Sequence, residues 1–183
     1  AWMRLSIWVA LLPQDLPSHL LDDDAETQDT LAVVIDTLRF CTAACTGLSN
    51  GATAVFVTSE VVQAEQFADS HPGRYLLCGE RECKPIRGFD LGNSPLEYTD
   101  QHVKGRELIF TTTNGTRAVA ASRQVASHIL LGALINRAAV AKHVASTHKS
   151  NVVLVCSGTN GAIASEDLLA AGAIVEWLLL AQP

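Results

Sequence analysis

The apolar run "AVVI" ends on Asp36, and Arg39 stands three residues further on, within "TLRFCT" (37–42). A carboxylate at the end of such a run can hold a hard cation, and a nearby guanidinium can fork onto the oxygens of a phosphate or sulfonate. Two other runs end in the same style. "LIF" leads into Thr111-Thr112-Thr113-Asn114-Gly115-Thr116-Arg117, and "VVLVC" leads into Ser157-Gly158-Thr159-Asn160-Gly161, with Ser165-Glu166-Asp167 close behind. A fourth run ends in "CGE" at Glu80, and "GFDLGNSP" (88–95) sets Asp90 and Asn93 in a loop bounded by glycines. Hydroxyls, turn N–H groups and arginines together suit an anionic, phosphorylated ligand.

The candidates divide by chemistry. Asp36, Arg39 and Arg117 are the catalytic set, and Thr42, Asn93, Thr113, Asn114, Gly115, Thr116, Asn160 and Gly161 the substrate-gripping set. Asp36, Glu80, Glu166 and Asp167 are the metal candidates. Mg²⁺ is the natural ion for carboxylates that leave room for water and substrate oxygens, and no His/Cys spacing supports zinc. The histidines at 19, 71, 102, 128, 143 and 148 are scattered and read as surface residues.

Each group also has a plainer reading. Asp36 could only cap the following helix. Glu166 and Asp167 suit a helix N-terminus with Ser165 as its cap, and Ser94-Pro95-Leu96-Glu97 reads as a capping box. Arg39 and Arg117 are harder to dismiss, because a cation in the first turn of a helix opposes the helix dipole unless an anion lies near. Three familiar templates are missing. There is no Walker loop, Asp36 has Leu38 rather than a second aspartate two residues on, and Cys156 and Cys41 meet Ala162 and Gly47 where a thiol phosphatase needs arginine.

The elements that must bring these residues together alternate. Strand-like runs at "LSIWVALL", "TLAVVID", "TAVFVT", "RYLLCGE", "RELIFTTT", "HILLGAL" and "NVVLVCSG" are separated by helix-like stretches such as "TAACTGLSNGA", "SEVVQAEQFADSH", "TRAVAASRQVAS" and "NRAAVAKHVASTH", and "SEDLLAAGAIVEWLLL" closes the series. Strand followed by helix, repeated, predicts an α/β fold with a largely parallel sheet and helices on both faces. Ligands bind at the carboxyl ends of such strands, where the candidates lie. The pattern also decides how to read Asn114-Gly115-Thr116, which could be a hairpin turn, a glycosylation acceptor or an anion cradle. The helical spacing of Ala118, Val119, Ala121 and Val125 after it excludes a hairpin and places it in a strand-to-helix turn.

The chain has 183 residues, a net charge of −6 and 17% charged residues, which predicts one domain and argues against nucleic acid as a partner. Five cysteines, several in apolar runs, read as mostly reduced thiols. The stretch Trp2–Leu12 lacks a basic n-region and a small-residue cleavage site, and no apolar run reaches the roughly 20 residues of a membrane span, so a cytoplasmic location without membrane partners is expected. The apolar segment near Trp177 is either core or the contact of a homo-oligomer.

The ordered set "VVIDTLRFCTAA", "CGE", "GFDLGNSP", "TTTNGTRA" and "CSGTNG…SEDLLAAGAI" resembles the 2-phosphosulfolactate phosphatase family over about residues 31 to 175. The resemblance implies a three-layer α/β/α fold with a largely parallel or mixed central sheet. It also implies a magnesium-dependent acid phosphatase, a phosphoric monoester hydrolase that converts 2-phospho-3-sulfolactate to sulfolactate and inorganic phosphate. In some organisms that step belongs to coenzyme M biosynthesis. On this reading Asp36 helps hold the metal or attacks phosphorus, with Arg39, Asn114, Thr116 and Arg117 on the anionic groups. The alternative is a non-catalytic binding protein for a small phosphorylated or sulfonated metabolite.

Overall fold

The computed structural model describes residues 5–21 and 24–181. Among the described residues, eight strands form two sheets. In the first, β1 (Ser6–Ala10), β8 (Asn151–Cys156), β2 (Thr30–Ile35) and β7 (His128–Gly132) lie in that order and are all parallel. In the second, β3 (Ala54–Val57), β6 (Glu107–Thr111) and β4 (Tyr75–Arg81) are parallel, and the two-residue β5 (Lys84–Pro85) runs antiparallel on the edge. Every residue of β2 is buried, as expected of a parallel strand covered on both faces. Of the Trp2–Leu12 stretch, Ser6–Ala10 forms β1, and Trp2 itself lies outside the described residues.

The helices are α1 (Asp24–Asp29), α2 (Phe40–Ser49), α3 (Val61–Asp69), α4 (Asp100–Val103), α5 (Gly115–Ser122), α6 (Arg137–Ser146) and α7 (Ser165–Leu180). Alternation along β2 explains the layering. Ala32 and Val34 share one core with Phe40, Cys41 and Ala44 of α2, Ala118 of α5, and Leu108 and Phe110 of β6. Leu31, Val33 and Ile35 face the other way, onto Val140 and Val144 of α6 and Ala170, Ile174 and Leu178 of α7. The outer face of the second sheet packs Tyr75 and Ile109 on Ala64 of α3. Thus α2 and α5 are a middle layer shared by both sheets. The α/β alternation and parallel strands are as the sequence predicts, and the single central sheet is divided in two because the crossovers β2-α2-β3 and β6-α5-β7 each pass from one sheet to the other.

Burial of that middle layer is the main source of cohesion. Phe40 is fully buried and meets the Phe110 ring edge-on at 5.3 Å, and Phe110 stacks on buried Tyr98 at 5.4 Å. Each such side chain contributes roughly 2–3 kcal/mol by removal from water. Trp177, read as core or contact, is 40% exposed while its neighbour Leu178 is buried. Among the described residues, no helix is long and apolar enough to cross a membrane. All six histidines are exposed. All five cysteines are free, with Cys41, Cys78 and Cys156 buried. Burial pushes the Cys78 and Cys156 thiols up to about 12, which leaves them unreactive as nucleophiles.

Candidate active site

Because α2 and α5 start from β2 and β6 in different sheets but lie in one layer, their N-termini meet. A cavity of about 430 Å³ opens there, lined by Asp36, Leu38, Arg39, Glu80, Glu82, Cys83, Asn93, Thr113, Asn114, Thr159 and Asn160. The sequence places Asp36, Arg39, Asn114, Thr116, Arg117, Glu166 and Asp167 within reach of one cleft; of these, Asp36, Arg39 and Asn114 line this cavity, together with the further site candidates Glu80, Asn93, Thr113 and Asn160, whereas Thr116, Arg117, Glu166 and Asp167 do not.

Asp36 is 7% exposed. Its carbonyl oxygen accepts the Cys41 N–H at 2.9 Å and its Oδ1 accepts the Phe40 N–H at 3.2 Å, so the capping role is real. It does not exhaust the residue, because burial, with the charges of Asp167 and Glu80 adding to it, lifts the carboxyl from 3.8 to about 7 against the pull of the Phe40 and Gly115 N–H groups. No cation compensates it, since the one ion pair among the described residues is Arg74–Glu107, at 2.8 Å on the surface. Arg39, the N-cap of α2, makes no side-chain hydrogen bond or ion pair with any described residue and faces the same cavity.

Asn93 is 8% exposed and its Oδ1 has no hydrogen-bond partner among the described residues. Its loop is rigid for reasons legible in the bonding. Asp90 Oδ2 accepts the Leu77 N–H at 2.8 Å, Glu97 Oε2 accepts the Gly92 N–H at 2.7 Å, and the Tyr98 hydroxyl donates to the Gly92 carbonyl at 2.6 Å. The capping box expected at Ser94-Pro95-Leu96-Glu97 is not formed. Pro95–Glu97 is a single 3-10 turn, Ser94 caps nothing, and Glu97 reaches back to Gly92 instead of to the Ser94 N–H.

The metal candidates separate. Glu80 lines the cavity but already accepts from the Thr113 N–H (2.7 Å), the Thr113 hydroxyl (3.2 Å) and the Cys83 N–H (2.7 Å). It is a strut between the β4–β5 hairpin and the β6–α5 turn. Glu80→Gln replaces one charged oxygen by an amide and should destabilise the fold by about 1–3 kcal/mol, read as a lower urea midpoint. Asp167, 2% exposed, accepts from the Thr37 N–H (2.8 Å), the Ser157 hydroxyl (3.1 Å) and the Gly158 N–H (3.1 Å), which ties the end of β2 to the end of β8 behind the cavity. Burial raises its carboxyl above the usual range despite those donors. Glu166 is half-buried beside Thr37. Neither Glu166 nor Asp167 lines the cavity, and the N-cap of α7 is Ala164 rather than Ser165.

Among the described residues, no group of three His, Cys, Asp or Glu is arranged to hold a metal. The donors that do fit a hard cation are the Asp36 carboxylate and the orphaned Asn93 Oδ1 on the same cavity.

The remaining expectations are placed elsewhere. Thr42, in the first turn of α2, donates to the carbonyl of Thr37 in the preceding turn at 2.7 Å and stays out of the cavity. Gly115 lies under it, where a Cβ would sit 2.6 Å from Asp36 Oδ2 and closer still to the Phe40 ring. The two Thr-Asn-Gly sequences do different work. Asn114-Gly115 opens α5, whereas Asn160-Gly161 forms a two-residue turn with φ of 52° and 80°, closed by the reciprocal Thr159–Ala162 pair. The second is the mirror-type hairpin turn that Asn-Gly favours, and Gly161 is outside the cavity lining. The Asn160 N–H donates to Asn114 Oδ1 at 3.1 Å and so pins the two turns together. Thr116 and Arg117 line a neighbouring cavity, not the one that holds Arg39.

Sequence reasoning missed Glu82 and Cys83. Both adopt left-handed backbone, φ 52° and 62°, at the tip of the β4–β5 hairpin. Asn-Gly is the usual signature for such a turn, and Glu-Cys gives none.

A profile described as 2-phosphosulpholactate phosphatase matches residues 16–182. A protein of Caldanaerobacter subterraneus subsp. tengcongensis is 45% identical over 159 residues, covering 85% of this chain and 64% of its own length. One of Deinococcus radiodurans is 43% identical over 149 residues, with 81% and 62% covered, and one of Synechococcus sp. is 42% identical over 173 residues, with 94% and 68% covered. Each carries the name "Probable 2-phosphosulfolactate phosphatase". The chain thus spans less than two thirds of the length of the first two relatives. With a match over nearly its whole length and with the strand-end residues gathered as described, the chain belongs to the 2-phosphosulpholactate phosphatase family.

Proposed function

We propose that the chain is a magnesium-dependent phosphatase that hydrolyses 2-phospho-3-sulfolactate to 3-sulfolactate and inorganic phosphate, acting in the cytoplasm and, where that pathway operates, in coenzyme M biosynthesis. The observation that carries this reading is the pairing of Asp36, buried and without a cationic partner, with the unpartnered Asn93 Oδ1 on one cavity. Asp36 and Asn93 would hold the ion. When bound, Mg²⁺ supplies charge neutralisation on the phosphoryl oxygens. Arg39 has a free guanidinium for the same oxygens, and in a partly enclosed cavity that interaction is stronger than it would be in water. Asn114 and Asn160, locked to one another, hold the substrate's remaining polar groups against the β6 and β8 ends. Asp36 orients the attacking water and takes its proton as the phosphorus–ester oxygen bond breaks, and the departing ester oxygen takes up a proton from solvent to leave as the sulfolactate hydroxyl.

The test is release of inorganic phosphate from 2-phosphosulfolactate by the folded chain with Mg²⁺. Release that stops on addition of EDTA is expected. Sulfolactate binding without phosphate release would reassign the site to a metabolite-binding protein.

A further inference from the structure

Beyond Thr113, on the flank of the reaction cavity, lies a second one of about 300 Å³ lined by Ser59, Glu60, Arg81, Thr112, Thr113, Thr116 and Arg117. It carries two guanidinium groups. Arg81 is held rigidly by neutral acceptors: Nη2 donates to the Ser59 carbonyl and to Thr111 Oγ1, both at 2.7 Å, and Nη1 donates to the Glu80 carbonyl at 3.0 Å. Its Nε–H has no partner among the described residues. Arg117 is exposed, sits in the first turn of α5 and makes no side-chain hydrogen bond with any described residue. Glu60 lines the same cavity yet is within ion-pair distance of neither arginine.

Two like charges on one small cavity repel each other, and Arg117 also opposes the dipole of α5. Among the described residues only Glu60 brings a negative charge to this cavity, at more than ion-pair distance from both arginines, although the chain as a whole carries a net charge of −6. We propose that this cavity is a second oxyanion site, separate from the reaction cavity, which takes a tetrahedral oxyanion between Arg81 and Arg117. With both Nη2 hydrogens and one Nη1 hydrogen of Arg81 already used, that residue offers such a group its fixed positive charge and its Nε–H, and the exposed Arg117 supplies the planar fork that closes over it. The Thr112 hydroxyl, which already accepts the Thr116 N–H at 3.3 Å, has its proton free to donate. The oxyanion is either free inorganic phosphate or the sulfonate end of a bound metabolite. Only the second source rests on the activity proposed above.

Sulfate and selenate are the probes, because neither requires turnover. Isothermal titration of the whole chain with sulfate should show binding that Arg117→Ala weakens roughly tenfold or more and Arg117→Lys weakens less. Crystals soaked in selenate should show anomalous density between Arg81 and Arg117. Saturating sulfolactate then separates the sources: displacement of that selenate identifies the sulfonate end as the natural occupant, and simultaneous occupancy identifies free phosphate. Sulfate affinity unchanged in Arg117→Ala, or selenate found only beside Arg39, overturns the proposal. A chain inactive on phosphosulfolactate that still binds selenate at Arg117 would remove the proposed activity and leave this site standing.

Discussion

Asp36→Asn should lower phosphate release by roughly a thousandfold or more and, in EDTA at pH 8, should make the folded protein more stable than wild type. Both effects come from one buried carboxylate. The folded chain holds the Asp36 proton up to about pH 7, whereas the unfolded chain loses it near 3.8. Between those values the folded state binds more protons, so stability falls as pH rises across the window, and above about 7 the whole cost is present. A shift of this size corresponds to roughly 4 kcal/mol. Asparagine removes the charge but leaves an amide NH₂ that needs a partner, so a net gain of about 1–3 kcal/mol is expected at pH 8 and little at pH 4. Mg²⁺ should reverse the ranking by stabilising wild type at pH 8 and leaving the variant unmoved. Urea titrations at both pH values, with EDTA and with Mg²⁺, provide the measurement. A variant less stable than wild type at pH 8 in EDTA would contradict the account of Asp36 as an uncompensated charge.

Gly115→Ala should be damaging although alanine is the better helix former by up to about 1 kcal/mol. The added methyl would lie 2.6 Å from Asp36 Oδ2 and nearer to the Phe40 ring. Phe40 cannot yield, since it is fully buried and braced against Phe110. The expected result is a loss of about 1–3 kcal/mol in stability and a fall in activity larger than that loss of folded protein explains, because the carboxylate itself is displaced. Gly172 in α7 is the control: nothing lies within 4 Å of a Cβ there, so Gly172→Ala should raise stability by about 0.5–1 kcal/mol. Thermal unfolding of both variants tests the pair. Equal behaviour would mean that Gly115 is an ordinary helix position.

The features legible in the sequence are those whose physical signals are local. Thr30–Ile35 and Asn151–Cys156 are readable because strands covered on both faces must be apolar throughout. Asp36 and Asn114 are readable because polar residues that end such runs mark the ligand edge of a parallel sheet. Sheet membership is not local. Nothing in "TAVFVT" or "RELIFTTT" tells that β3 and β6 pair with each other and not with β2, and that choice separates Arg117 from Arg39. Nor can identical triplets reveal different roles: Asn114-Gly115 runs on into a helix, whereas Asn160-Gly161 turns the chain back onto Ala162.

The division of the strands into two sheets has a mechanical consequence. Asp36, Arg39, Thr159 and Asn160 reach the reaction cavity from one sheet, and Glu80, Glu82, Cys83, Asn93, Thr113 and Asn114 from the other. Whatever occupies it therefore acts as a rivet across a seam, and amide hydrogen exchange should slow on both banks together when the cavity is filled, far beyond the atoms that touch the ligand.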